Sequence, residues 1–127
     1  MTSLVDEKLE KYREIQGEIQ KLFLSKQQYL SQFNENTLVK GELDLLTEDE
    51  QVYKLVGPVL MKVDLEESKE NVGKRLQFIE GEITKIDQQI AEKQGSQTTL
   101  GEEIAQLQKQ MQQQAVLAAR EVIEESA

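Results

Sequence analysis

The sequence predicts a mainly α fold, an antiparallel two-helix coiled coil with one β-hairpin at the joined end. Three observations carry that prediction. Apolar residues recur at alternating steps of three and four in two long stretches, as along a coiled-coil seam. Between them, over Gln51–Asp64, the period drops to two and β-branched residues cluster around Gly57-Pro58. The composition is that of long helices: of 127 residues 31% are charged, 38% are hydrophobic and only 5% are aromatic. That is too little bulky apolar material for an ordinary globular core.

In the first stretch Val5, Tyr12, Ile19 and Phe33 keep a seven-residue spacing, with Ile15, Leu22 and Tyr29 interleaved and Lys26 as the polar exception. Leu9, Phe23 and Leu30 are expected to flank this seam and widen it, while Glu7, Lys11, Glu14, Glu18 and Lys21 suit solvent. The spacing predicts a helix over about 3–46, followed by the acidic loop Thr47-Glu48-Asp49-Glu50. The last stretch is longer. Val72, Ile79 and Ile86 recur every seven residues, as do Leu76, Ile83 and Ile90. After a polar patch at Lys93 and Gln97 the same register returns with Leu100, Ile104, Leu107 and Met111. Polar residues within a seam, here Lys26, Lys93 and Gln97, set register at some cost in stability. Glycines 73, 81, 95 and 101 fall outside the seam so drawn. Each costs about 1 kcal/mol relative to Ala, so local softness is expected near Gly95 and Gly101. This predicts a helix over about 66–122, roughly 85 Å long at 1.5 Å per residue.

The segment between them reads as a hairpin over about 51–64 with two strands of about five residues. Proline fits poorly at the second central position of common turns, which leaves the turn type open. Two narrow seams joined by a short hairpin are most economically satisfied by each other, antiparallel. Counted outward from the hairpin, residue i lies opposite roughly residue 111 minus i, so that Met1 meets the region of Gln110 and 115–122 overhang. Both chain termini then lie at the free end.

An isolated two-stranded hairpin is marginal in water, and this one is apolar on both faces. Tyr53 and Leu55 lie on one side and Val52 and Val56 on the other, with Val59, Met61 and Val63 set against Leu60. Its outer edges offer unpaired N–H and C=O groups. The hairpin therefore reads as an assembly element that joins hairpins of other chains into a shared sheet or barrel. The alternative is a hairpin folded back on its own helices.

Several functions are excluded by what is missing. With no His and no Cys the chain has no imidazole base, thiolate nucleophile or Cys/His zinc site, and it forms no disulfide, as suits the cytosol. A net charge of -9 repels a phosphate backbone, so nucleic acid is not an expected partner. No apolar run approaches the roughly 18 residues of a membrane span. The start, Met1-Thr2-Ser3-Leu4-Val5-Asp6-Glu7, lacks the basic and apolar regions of a signal peptide. The expectation is a soluble cytoplasmic protein that is not an enzyme, needs no cofactor and contacts no membrane. The carboxylate pairs Glu66/Glu67, Glu102/Glu103 and Glu124/Glu125 point in different directions on a helix and read as solvated faces. Asp6, Glu7 and Glu10 lack the loop spacing of a calcium site. Lys74-Arg75 reads as a surface pair facing Glu70 or Glu80, or an acidic neighbouring subunit.

The free ends are more informative. Leu4, Val5, Leu9 and Tyr12 open the first helix, opposite Leu107 and Met111, and the overhang adds Val116, Leu117, Val122 and Ile123. Seam residues near the end of a two-helix stalk are only partly covered, with Leu4, Leu9, Val116 and Leu117 expected to have the fewest partners.

The run from Val52-Tyr53-Lys54-Leu55-Val56-Gly57-Pro58 to Val59-Leu60-Met61-Lys62-Val63, followed by Val72-Gly73-Lys74-Arg75-Leu76, resembles the beta-type subunits of prefoldin, eukaryotic ones above all. Glu35-Asn36, Leu38-Val39-Lys40 and Glu42-Leu43 fit the same pattern, and the layout agrees over about residues 10–112. A single hairpin matches the beta type, since the alpha type has two. The resemblance implies a heterohexamer in which the partners are two alpha-type and three further beta-type subunits. It implies hairpins joined into a double β-barrel, with Val52, Tyr53, Leu55, Val56, Val59, Leu60, Met61 and Val63 serving assembly. It implies coiled coils whose tips hold unfolded chains, notably actin and tubulin, and pass them to the cytosolic group II chaperonin without ATP. The client-binding tip residues are then Leu4, Val5, Leu9, Tyr12, Leu107, Met111, Val116 and Leu117. The sequence contains no phosphate-binding Gly-rich loop and no Walker lysine, consistent with that role. The rival reading is a structural coiled-coil tether or adaptor without affinity for unfolded chains.

Overall fold

The computed structural model describes residues 3–47 and 49–126. Met1, expected opposite Gln110, and Glu48 of the acidic loop lie outside the described residues. The element order is α1 (Leu4–Leu45), β1 (Val52–Val56), β2 (Val59–Val63) and α2 (Leu65–Ser126). Each helix starts on a side-chain cap. Ser3 Oγ accepts the Asp6 N–H at 3.1 Å, and Asp64 Oδ1 accepts the Glu66 N–H at 3.3 Å, which satisfies donors that a helix start leaves unpaired. Asp6, Glu7, Glu66 and Glu67 in the first turns complement the positive end of the helix dipole. At the end of α1 the Leu46 N–H turns back to the Leu43 carbonyl at 3.2 Å. The second helix continues to Ser126, beyond the end expected near 122. Ala115, Ala118 and Ala119 propagate a helix well, and neither Gly nor Pro follows to stop it.

The strands pair antiparallel, Val52 opposite Val63 through Val56 opposite Val59, which leaves a two-residue loop of Gly57 and Pro58. Gly57 has φ 59° and Pro58 does not share the positive sign, the signature of a type II′ turn with Gly at its first central position. The open question of the turn is thereby answered. Proline is accommodated because only the residue before it needs positive φ, and the bond is trans.

The chain divides into two compact units, Phe23–Gln88 and Met1–Leu22 with Gln89–Ala127. In the first, the hairpin base sits on a cluster of Leu43, Leu65 and Val72, against which Leu46, Val52 and Leu76 pack. Ile79 and Ile86 are also buried in this unit, and Lys26 pairs with Asp87 across the helices at 2.6 Å. In the second unit Ile19, Ile90 and Ile104 are buried. Lys93 reaches Glu18 at 2.6 Å, Lys8 reaches Glu103 at 2.7 Å, and Gln97 donates to Gln16 at 2.6 Å. In each unit the helices therefore run antiparallel. The Lys8–Glu103 and Glu18–Lys93 pairs fall on the register counted from the hairpin, and Lys26, Lys93 and Gln97 each find a partner on the opposite helix. Such exposed pairs contribute only about 0–1 kcal/mol each. Their consequence is alignment.

Two expectations about side-chain placement change. Leu9 is half-buried and does widen the seam, but Phe23 and Leu30 remain 43% and 40% exposed. They sit too far round the helix for a single partner to cover. Gly101 does not lie clear of the seam: it is half-buried, and a Cβ added there would meet Tyr12 Cε2 at 3.8 Å. That is ordinary van der Waals contact, and α2 is continuous through both Gly95 and Gly101. Gly101→Ala is thus expected to stabilise the chain by about 1 kcal/mol through helix propensity. A melting temperature unchanged or lowered in the variant would contradict this account of the position.

Candidate functional site

Two surfaces stand out, one in each unit. In the unit Phe23–Gln88, the hairpin projects its side chains to solvent on both faces. Only Val52 and Val63, at its base, are half-buried. The pairing places Val52, Lys54, Val56, Val59, Met61 and Val63 on one face and Tyr53, Leu55, Leu60 and Lys62 on the other. Leu55 and Leu60, cross-strand partners, are 68% and 65% exposed. The two strands are the whole sheet, so each has an outer edge with unpaired backbone groups. Apolar faces and open edges together make a surface that another β-structure can both pair with and bury. A groove at the hairpin base is of mixed character, with Val39, Leu43, Val52 and Val63 beside Lys54, Lys62, Glu67 and Arg75.

In the other unit the sequence-derived tip residues divide into two groups. Val5, Leu9 and Leu107 are half-buried between the helices, and Tyr12 is near the same state at 37% exposure with its ring over Gly101. Leu4, Met111, Val116 and Leu117 are 55%, 55%, 48% and 58% exposed. Leu4 lies in a shallow groove with Lys8, Gln106, Leu107 and Gln110, and Val116 and Leu117 line another with Gln112, Gln113 and Arg120. From Gln108 to Ser126 every residue is exposed, and Gln110–Ala119 contains no charged side chain. At 3.6 residues per turn, Met111 and Val122 fall on one face of this stretch and Val116 and Ile123 on another. The overhanging helix is therefore apolar in more than one direction.

Among the described residues no polar or charged side chain is buried, and no cluster of Asp or Glu has a geometry that could hold a metal ion. No helix is long and apolar enough to cross a membrane. Glu66 and Glu103, from two of the carboxylate pairs, engage Lys69 and Lys8 at the surface, and Lys74 pairs with Glu70 at 3.3 Å. What the arrangement can do is offer apolar contact, adaptable at Met111 because the thioether chain fits irregular partners.

Comparison with known proteins agrees with this arrangement. The family described as "Prefoldin subunit" matches residues 6–114, which leaves the overhang from Ala115 outside the match. The prefoldin subunit 6 of Saccharomyces cerevisiae is 40% identical over 97 residues, covering 76% of this chain and 85% of that protein. The prefoldin subunit 6 of Homo sapiens is 38% identical over 116 residues, covering 88% and 90%. Among solved structures, the prefoldin beta subunit from Thermococcus strain KS-1 superposes with a TM-score of 0.76 at 19% identity, over 81% of this chain and 90% of that one.

Proposed function

Because the chain belongs to the prefoldin subunit family, we propose that it works as one module in a hexameric co-chaperone that captures unfolded polypeptides and delivers them to the cytosolic group II chaperonin. In this reading the hairpin residues Val52, Tyr53, Leu55, Val56, Val59, Leu60, Met61 and Val63 join two alpha-type and three other beta-type subunits through a shared β-barrel. The tip residues Leu4, Val5, Leu9, Tyr12, Leu107, Met111, Val116 and Leu117 hold clients of the actin and tubulin kind. No nucleotide is consumed. The observation that supports capture most directly is the exposure of Leu4, Met111, Val116 and Leu117 on a helical frame held in register by Lys8–Glu103 and Glu18–Lys93. A partly open apolar side chain releases little free energy on contact, since even full burial contributes only about 1.5–3 kcal/mol. Several such tips acting on one chain give useful affinity without a deep pocket, and a weak individual grip permits release without ATP.

The test is suppression of aggregation of denatured actin by the reconstituted complex in the absence of nucleotide. Changing Leu4, Met111, Val116 and Leu117 to Ser leaves assembly intact and weakens client affinity roughly two- to tenfold, because the other subunits still hold. Leu9 is left out of this set because it packs in the seam. Equal affinity in the variant removes this subunit's tip from capture. Suppression by the wild-type complex no better than by an unrelated coiled coil means a tether.

A further inference from the structure

A hydroxyl followed three residues later by a carboxylate suits an acidophilic protein kinase, because a substrate groove lined by Lys and Arg complements it. The pattern occurs at Ser3, Thr47, Thr84 and Thr99, and the structure separates the four. Thr84 and Thr99 lie inside α2, where their hydroxyls donate to the Glu80 and Gly95 carbonyls at 3.0 and 3.1 Å. An acceptor enters a kinase cleft on an extended segment, so either position would require the helix to open. Ser3 is followed by Leu4 and Val5, and its Oγ holds the Asp6 N–H at the start of α1. Thr47 differs in each respect. It is exposed in the connection between Leu45, the end of α1, and Val52, the start of β1, the kind of segment that modifying enzymes reach. In the sequence, Glu48, Asp49 and Glu50 follow it without interruption. We infer that Thr47 is a phosphorylation site for an acidophilic protein kinase, and that the phosphate unseats the hairpin.

In the transfer, the γ-phosphorus of Mg·ATP parts from the oxygen it shares with the β-phosphate and bonds to Thr47 Oγ1. ADP leaves with the electron pair of the broken bond, and the hydroxyl proton goes to the kinase's base. The phosphate carries about -1.5 to -2 charges at pH 7, and its surroundings are adverse. In the unmodified chain Thr47 Oγ1 donates to Glu50 Oε1 at 3.4 Å, and the Glu50 N–H donates to the Thr47 carbonyl at 3.0 Å. Phosphorylation removes that hydroxyl donor and sets like charge beside the carboxylate. No Lys or Arg stands between Lys40 and Lys54 in the chain, and Lys40 already pairs with Asp44 at 3.4 Å. The phosphate also lies just past the C-terminal end of α1, the negative end of the helix dipole. A phosphate placed at a helix C-terminus and next to carboxylates loosens a segment rather than ordering it. Here that segment includes Leu43 and Leu46. Leu43 forms the cluster with Leu65 and Val72, against which Leu46 and Val52, at the hairpin base, both pack. Modification of Thr47 is independent of how the chain assembles, whereas its effect on assembly rests on the hairpin being the element that joins subunits.

The test incubates the full chain with Mg·ATP and a purified acidophilic serine/threonine kinase, with a basophilic kinase as the control. Tandem mass spectrometry is expected to find phosphate at Thr47, absent in Thr47→Ala. Its rate of appearance is expected to fall roughly tenfold or more in Glu50→Lys, which meets a basic groove with like charge. In the free phosphorylated chain the amides of β1 and β2 are expected to exchange with solvent roughly threefold or more faster than in Thr47→Ala treated alike. Affinity for the partner prefoldin subunits is expected to fall roughly three- to tenfold. No phosphate at Thr47, faster modification at Ser3, Thr84 or Thr99, or equal labelling by the basophilic kinase overturns the site. Phosphate at Thr47 with unchanged hairpin exchange overturns the unseating. The Leu55→Asp/Met61→Asp variant separates this inference from the assembly reading. If it enters the hexamer the hairpin reading fails, while Thr47 is still judged by labelling and by exchange in the free chain. If it stays out while the phosphorylated wild type assembles as before, the effect of the phosphate on assembly is overturned.

Discussion

Replacing Leu55 and Met61 with Asp abolishes entry of the chain into the prefoldin assembly while its helices stay intact. The two residues lie on opposite faces of the hairpin, so no single rotation of the sheet can carry both charges to water. In the free chain they are 68% and 53% exposed, and the aspartates are solvated there at little cost. Within a shared sheet each carboxylate loses water without gaining a partner, a penalty on the order of several kcal/mol. The full expected result is helical circular dichroism equal to that of wild type and loss of the hexamer peak in size exclusion. A variant that still forms the full hexamer would show that assembly runs through another surface.

Leu43→Ala has the largest expected effect on the free chain. Leu43 is buried with Leu65 and Val72, and this cluster also receives Val52 at the base of the hairpin. Removing three carbons leaves a cavity between helix and hairpin, at a cost of about 2–4 kcal/mol. That is a large part of the roughly 5–15 kcal/mol by which domains are stable, and in so thin a core few neighbours can move in to compensate. Leu38→Ala, at a position of α1 that is 71% exposed, is the internal control and should change stability by no more than about 0.5 kcal/mol. Urea denaturation followed by circular dichroism checks both. Similar losses at the two positions would mean that the cluster is not what seats the hairpin.

Much of the fold was legible because helical and strand periods are local properties of a sequence. Val72, Ile79, Ile86 and Ile90 mark the seam of α2, and all four are buried. The change of period at Val52 marks the hairpin, and the strands have the expected five residues each. The caps were legible in the same way, since Ser3 and Asp64 immediately precede their helices, although hydrophobic periodicity takes no account of them. The candidate assembly and tip residues were chosen as apolar side chains that a two-helix module was not expected to cover, and Val5, Leu9 and Leu107 among them are in fact half-buried. Phe23 and Leu30 lie close enough to the main seam to be counted with it in the sequence, yet they remain 43% and 40% exposed.

By itself the sequence determined the elements, their antiparallel pairing and their register. Spacing defines which side of each helix is apolar, and a short hairpin admits one way of bringing those sides together. The tertiary structure alone decided how far each seam reaches. Whether a flanking residue is covered depends on the position of the other helix, not on its own place in the heptad. Leu9 is therefore half-buried while Phe23 and Leu30 are not, and Gly101, counted outside the seam, comes to lie against Tyr12. The turn was decided at the same level. Val56 and Val59 must pair, and only Gly57 can take the positive φ that brings them together, because an L side chain there would press against its own backbone.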